Sequence, residues 1–417
     1  MKISFGFVVL VVLLAGSAYA ASNQPVPLYT FSCNGNAVLR LGSCPNGGRP
    51  DSLIQGSDGN FYGTAAVSME GTNYPVGGVV FSLTPAGIFT ELHTFVAGPS
   101  RTYVNGNFPT MLIQGPDGKL YGYTTFGGLD GCNGYCGNGV LYRLNTNGTG
   151  FQVLYKFCSD TTCGDLRQTP SSLIAGTDGN VYGLMVPGAS SSDASIFRIT
   201  PSTGAFEAVI NFASSTLGGG FPTGLTLATD GTFYGITIGN PAIVFHFTPS
   251  TGSLTTVAVS FPEFDGILPS GPVFGLSFGP NGNIYGLYSV YGENGTGLFE
   301  VEPNGSNLQL FPFFINDSDA VPANGLLLAS DGNFWATYQY GNGGPGDIIT
   351  LSPANGTLIQ ELSAPFSKSS AVGAYPEQLI QLTDGTLLGT TYGYGAASTG
   401  HFGDGTVFSL NAGLPPR

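Results

Sequence analysis

The sequence predicts an all-β protein, a seven-bladed β-propeller of four-stranded antiparallel blades whose last blade is closed by the N-terminal strand. Three observations carry that expectation. A stretch beginning Pro-Asp-Ser-Leu-Ile-Gln-Gly-Ser-Asp-Gly-Asn-Phe-Tyr-Gly-Thr at Pro50 returns from Pro109 and Pro170, and in weaker copies from Pro222, Pro272, Pro322 and Pro376. Its turn glycines, Gly59, Gly118, Gly179, Gly231, Gly282, Gly332 and Gly385, are spaced by 59, 61, 52, 51, 50 and 53 residues. Self-similarity on this scale, with several short strands per unit, is the mark of a propeller. Finally, the seventh unit stops after its third strand, Thr406–Leu410, while Pro27-Leu28-Tyr29-Thr30-Phe31 near the start matches the fourth-strand stretch Glu91–Phe95. Pairing the two ends completes the ring and leaves no open seam.

Within a unit the elements follow from residue type. Leu53-Ile54 is a short apolar first strand, and the Asp-Gly pair after it is a tight-turn signal because Gly accepts positive φ without steric cost. Asn60–Thr64 is a second strand rich in aromatic and β-branched residues. After a Gly-rich connection come Val79–Leu83, the turn Thr84-Pro85-Ala86-Gly87 and a fourth strand from Ile88 to Phe95. Later units keep this order, with turns at Asn145–Gly148, Thr200–Gly204, Thr248–Gly252, Glu302–Gly305 and Ser352–Gly356.

Residues 1–20 read as a signal peptide: Lys2, an apolar run from Ile3 to Leu14, then Ala18-Tyr19-Ala20 as a small-residue cleavage site. The run is short of the ~20 residues a membrane span needs, although an uncleaved N-terminal anchor is the competing possibility. Residues 21–417 are then one propeller domain, expected to be monomeric, without a transmembrane span, and secreted, periplasmic or on the cell surface. Charged residues are only 9 % of the chain, yet 42 % is hydrophobic in regular runs, so the low charge does not imply disorder. The net charge of −14 argues against nucleic acid, whose phosphates need clustered Lys and Arg.

Six cysteines fall in three short-range pairs: Cys33 with Cys44, Cys132 with Cys136, and Cys158 with Cys163. In an exported chain such pairs read as disulfides that hold loop shape; zinc held by thiolates is the alternative, and neither Cys-x-x-Cys nor abundant histidine supports it. The recurring Asp58, Asp117, Asp178, Asp230, Asp331 and Asp384, with Asn281 in the fifth unit, admit a calcium reading. Each is a single carboxylate inside an Asp-Gly turn, where capping its own turn is the simpler role. Tyr62, Tyr121, Tyr182, Tyr234, Tyr285 and Trp335, with Leu388 in the last unit, hold one fixed position and are expected to fill the space between blades.

Catalytic signals are sparse. His93 and His246 lie in strands, and His401 lies in a loop near Asp404. No Gly-x-Ser-x-Gly elbow, Walker loop or His-Glu-x-x-His occurs, and the loop carboxylates Asp130, Asp165, Glu263, Asp265 and Glu293 show no pairing pattern. No cofactor is expected. Connections after the first and third strands are tight, whereas those after the second and fourth, such as 65–78, 96–108, 126–139, 363–375 and 392–405, are long and dissimilar. In an up-and-down blade both long classes emerge at the same end, so one face of the disc is uniform and the other elaborated. A ligand site is expected on the elaborated face, since function on rigid scaffolds sits on variable loops. A non-enzymatic propeller binding an extracellular protein or glycan there is the favoured expectation. A lyase or hydrolase acting at the mouth of the central channel is the alternative.

The pattern Leu-Ile-x-Gly-x-Asp-Gly-Asn-x-Tyr-Gly-Thr, then Gly-x-Val-Phe-x-Leu-Thr-Pro-x-Gly and Leu-x-x-Phe, resembles the GloVer tandem repeat of exported bacterial proteins, most clearly over 77–95, 155–163 and 403–410. The resemblance implies an extracellular repeat protein and transfers no catalytic residues. Units four to six depart from it, with Asn281 for Asp and Trp335-Ala336 for Tyr-Gly. Gly279–Tyr285 and Ser330–Trp335 are also similar to NHL-type and streptogramin-lyase propellers, but the shared residues are turn and packing positions. For the cysteines the expected outcome is plain: thiol titration without reductant finds no free sulfhydryl, and peptide mapping returns the three local pairs. Zinc recovered from thiolate ligands would overturn the assignment.

Overall fold

The computed structural model describes residues 24–417 except 33–45, 67–75, 98–101, 129–136, 158–168, 187–193, 213–220, 239–241, 260–268, 273–274, 291–294, 315–322, 324, 339–344, 363–365, 368 and 394–404. Cys33, Cys44, Cys132, Cys136, Cys158 and Cys163 all lie outside the described residues. The disulfides expected between Cys33 and Cys44, Cys132 and Cys136, and Cys158 and Cys163 therefore rest on the sequence alone, and no bond between them is described. His401, Asp404 and the loop carboxylates named above likewise lie outside the described residues.

Every described element is a β-strand, and the strands form seven antiparallel blades. The first blade runs β2 (Pro50–Gln55), β3 (Phe61–Ala66), β4 (Val76–Leu83) and β5 (Phe89–Val96). The second is β6 (Asn107–Gln114), β7 (Leu120–Phe126), β8 (Val140–Leu144) and β9 (Gln152–Lys156). The third is β10 (Thr169–Ala175), β11 (Val181–Val186), β12 (Ala194–Thr200) and β13 (Ala205–Phe212). The fourth is β14 (Phe221–Leu227), β15 (Phe233–Ile238), β16 (Ile243–Thr248) and β17 (Ser253–Val259).

The fifth blade splits its first strand into β18 (Pro269–Pro272) and β19 (Ser277–Phe278), followed by β20 (Ile284–Val290), β21 (Gly295–Val301) and β22 (Gln309–Phe314). The sixth is β23 (Leu327–Leu328), β24 (Phe334–Tyr338), β25 (Asp347–Leu351) and β26 (Leu358–Leu362). The seventh is β27 (Ala374–Gln381), β28 (Leu387–Gly393) and β29 (Thr406–Leu410), and β1 (Val26–Thr30) pairs antiparallel with β29 as its fourth strand. Closure is more than strand pairing. Tyr29 stacks on Phe89 at 4.6 Å and Phe31 meets Phe81 edge-on at 5.3 Å, so the last blade's outer strand packs against the first blade. In blades one to four and seven the first strands run longer than the Leu-Ile pair alone indicates, because each is the inner edge of its sheet, where a proline near the strand start withholds no needed donor.

Among the described residues seven apolar cores lie between neighbouring blades, one for each pair. Each holds one residue of the recurring aromatic position: Tyr62, Tyr121, Tyr182, Tyr234, Tyr285, Trp335 or Leu388. The glycine that follows has a second partner. Gly63, Gly122, Gly183, Gly235, Gly286 and Gly389 lie directly opposite Phe81, Tyr142, Phe197, Phe245, Phe299 and Phe408 of the third strand. A Cβ on Gly286 would come within 2.5 Å of the Phe299 ring, so the ring rests on bare backbone. Blade six breaks both halves of the pattern together, with Ala336 opposite Ile349. Gly286→Ala is therefore expected to destabilise by about 2 kcal/mol through overpacking. Adding Phe299→Ile should return part of that loss, a positive coupling in a double-mutant cycle of thermal or denaturant melts. Strictly additive effects would show that ring and glycine do not constrain one another.

Candidate functional site at the long-loop end of the channel

The tight-turn end of the ring satisfies itself. In the first blade Asp58 accepts the Asn60 N–H at 3.1 Å through Oδ1, and the Asn60 amide at 2.9 Å and the Tyr62 hydroxyl at 2.6 Å through Oδ2. Asp178 repeats the set with Asn180 and Tyr182, and Asp117 accepts from Tyr121 at 3.0 Å. Asp230, Asp331 and Asp384 each accept the N–H two residues on, at 3.0, 3.0 and 2.9 Å. Burial acts to raise the Asp58 and Asp178 carboxyls, but these hydrogen bonds outweigh it and hold both below their ordinary value. Burial, then the bond to Asp58, pushes Tyr62 up to about 12. Gly59 has φ 83° with open space around its Cβ position, so left-handed backbone is the reason for glycine there. Among the described residues no three His, Cys, Asp or Glu side chains gather as a metal site.

Blade five shows why Asn281 stands where the others have Asp. The residue across from its tyrosine is Glu300, which is buried and accepts from Asn281 at 2.8 Å and Asn283 at 2.6 Å. The carboxylate has moved to the third strand, and an amide replaces it in the turn. In blades two and three the corresponding third-strand residues are Arg143 and Arg198, opposite Tyr121 and Tyr182.

Two of the three histidines are committed to packing. His93 stacks on Phe151 at 3.6 Å in the outer part of the ring, and burial lowers it to about 4. His246 lies against the Tyr234 ring at 4.6 Å on the third strand of blade four. Neither is near the axis.

The axis is ringed by first strands, tied from blade to blade. The Leu53 N–H donates to Gln378 Oε1 at 2.7 Å, the Leu112 N–H to Ser52 Oγ at 3.0 Å and the Leu173 N–H to Met111 Sδ at 3.0 Å. On the opposite side this position is glycine, and a Cβ on Gly224 or Gly325 would lie 3.2 or 3.4 Å from the Gly275 Cα. Just before this belt most first strands bulge, skipping one or two residues after the proline. The residue after proline is thus off the ladder at the long-loop end of the axis: Asp51, Thr110, Ser171, Thr223 and Glu377. Asp51 is half-buried, and desolvation pushes its carboxyl up to about 6. Its charge is felt by buried Tyr123 of blade two, whose hydroxyl lies toward Thr110. Thr223 donates to the Ile236 carbonyl at 3.5 Å.

The residue before the proline is the second feature of this end. Tyr375, Arg49 and Phe108, in the adjacent blades seven, one and two, have φ of 61°, 47° and 61°. Left-handed backbone is uncommon for non-glycine residues and still less favoured ahead of proline, and each instance costs about 1–3 kcal/mol. The Arg49 guanidinium sits 4.5 Å over the Tyr392 ring. Sequence reasoning places a site at this end but not on these residues. The available signal is the slot after the repeat proline, polar in five of seven units yet not constant in identity.

The model of the Gloeobacter/Verrucomicrobia repeat matches residues 49–297. Among curated proteins none matches the sequence. Solved structures with the same fold include an oligogalacturonate lyase from Vibrio parahaemolyticus, 10% identical with a TM-score of 0.52, covering 93% of this chain and 92% of that one. An oligogalacturonate lyase in complex with manganese is 12% identical with a TM-score of 0.51, covering 95% and 99%. A luciferin-regenerating enzyme is 13% identical with a TM-score of 0.44, covering 72% and 89%. At these identities the likeness to the two lyases shows the fold alone.

Asn281→Asp would set a second carboxylate against buried Glu300. One of the two must then titrate above its unfolded value, so the penalty is full above that raised value, fades as pH falls from it toward the ordinary carboxylate value of about 4, and is gone below. At pH 7 the variant should lose about 2 kcal/mol or more, and Glu300→Arg added to it should recover stability by restoring the arrangement of blades two and three. A loss independent of pH would refute the charge argument.

Proposed function

The chain belongs to the Gloeobacter/Verrucomicrobia repeat family, and from that premise we propose that it is an exported, non-enzymatic binding propeller that takes its partner at the long-loop end of its channel. The observation that carries this is the run of left-handed, pre-prolyl Tyr375, Arg49 and Phe108 in three adjacent blades at that end. Strain concentrated in one sector needs a compensating use, and ligand clamps are a common one. Two further facts support it. The tight-turn end spends its carboxylates on its own tyrosines and turn amides, and variation in length among the units is concentrated in the long connections.

One observation favours a second reading, a lyase or hydrolase at the channel mouth: the Asp51 carboxyl at about 6 is suited to proton transfer near neutral pH. The oligogalacturonate lyases of like fold make uronans a natural test substrate. A pull-down from cell-surface extract and immobilised glycans, run with residues 129–136 and 394–404 shortened in turn, separates the readings. Shortening either loop is expected to weaken capture tenfold or more while the melting temperature holds. Capture that survives both changes refutes the binding face, and uronan turnover abolished by Asp51→Asn or His401→Ala establishes the enzyme instead.

A further inference from the structure

Buried polar atoms are nearly always hydrogen-bonded, so the exceptions need an explanation. Several exceptions here, such as Tyr142 Oη, Ser195 Oγ and Tyr288 Oη, are dispersed through the cores of different blades. Three are not dispersed. Arg49 Nε, Thr110 Oγ1 and Ser171 Oγ are buried without a partner, and they belong to the first-strand entrances of blades one, two and three. Asp51 occupies in blade one the slot that Thr110 and Ser171 occupy in blades two and three. The Tyr123 hydroxyl lies toward Thr110 without hydrogen-bonding geometry. The equivalent Thr223 of blade four has its carbonyl partner, so the slot itself does not forbid satisfaction.

The set is mixed in kind, and that limits what fits it. Arg49 Nε can only donate, the Asp51 carboxylate can only accept, and the two hydroxyls do either. A metal ion or an ammonium group would leave the arginine unanswered and set a cation beside it. A carboxylate or phosphate would answer the arginine and meet Asp51, with Glu377 in the neighbouring blade. A vicinal pair of hydroxyls can accept from one group and donate to the next. The rings of Tyr375 and Tyr392 border the same entrance and form an apolar cluster with Ala374, a surface suited to the C–H face of a sugar.

We propose that Arg49, Asp51, Thr110 and Ser171 form a subsite for the hydroxyl groups of a neutral saccharide that enters the channel from the long-loop end. This rests on the binding reading above and goes further by naming the ligand class. The test is calorimetric titration with defined neutral gluco-, xylo-, manno- and chito-oligosaccharides, with oligogalacturonates as the anionic comparison. It uses the wild-type protein, T110V/S171A, and the two loop-shortened proteins. A neutral oligosaccharide is expected to bind, and T110V/S171A to weaken it tenfold or more.

The double variant carries a second readout that needs no ligand. Removing hydroxyls that have no partner should leave the free protein's melting temperature unchanged or raise it. A drop of several degrees would assign the hydroxyls a structural role and overturn the proposal. Exclusive binding of oligogalacturonates, or no neutral saccharide bound, would also overturn it. A protein captured through the long loops while all saccharides fail would leave the binding face standing and remove only the saccharide assignment.

Discussion

The contact between an aromatic ring of each third strand and the bare backbone of the glycine opposite sets the terms for the whole ring. A four-stranded blade has two apolar faces and no interior, so it is stable only when both are covered by neighbours. The Phe299 ring needs the room that Gly286 leaves, and Tyr285 beside that glycine reaches into the core shared with blade six. Two adjacent residues on one strand thus serve different partners, one across the sheet and one across the blade interface. The coupling across the sheet is why blade six changes glycine and facing aromatic together, to Ala336 and Ile349, while blade seven keeps Gly389 opposite Phe408 with Leu388 in place of the tyrosine.

The same coupling explains the acidic turn. A tyrosine buried between blades brings its hydroxyl to the tight-turn end, where it must find an acceptor. The Asp of the Asp-Gly turn supplies one while also accepting the turn's own N–H, as Asp58 does for Tyr62 and Asn60. Blade five reaches the same end through Asn281 and Glu300. What recurs is the satisfied tyrosine, with the carboxylate free to change strand. Across neighbouring blades, Gln114 and Gln381 accept from the turn amides of Ser57 and Ser330, so this end is knitted together circumferentially as well.

Most of the fold was legible because it is repeated: six copies of Asp-Gly and five of Tyr-Gly over seven units average out local ambiguity in any one. The closing strand was legible for the same reason, since Leu28-Tyr29-Thr30-Phe31 repeats a fourth-strand pattern out of place. The channel-mouth residues were hidden by that same strength. Asp51, Thr110 and Ser171 differ from one another, and a reading that seeks recurrence discards a position that does not recur. The left-handed backbone of Arg49, Phe108 and Tyr375 was hidden for a different reason. Positive φ is announced by glycine, and here tertiary packing imposes it on side chains that local preference would place elsewhere.

The inner belt joins these two behaviours. Around blades seven to two it is made of side chains, Gln378, Ser52 and Met111, each accepting the N–H of the next blade's leucine. Across blades four to six it is made of glycines whose backbones approach directly. Beside the side-chain half the bulged slot carries Asp51, Thr110 and Glu377, and the entrance carries Arg49, Phe108 and Tyr375. In a ring whose constant positions all serve packing, chemical individuality is left to slots that are fixed in place but free in identity. The slot after the repeat proline is such a position: it is polar in blades seven and one to four, and is Val273 and Ala323 in blades five and six.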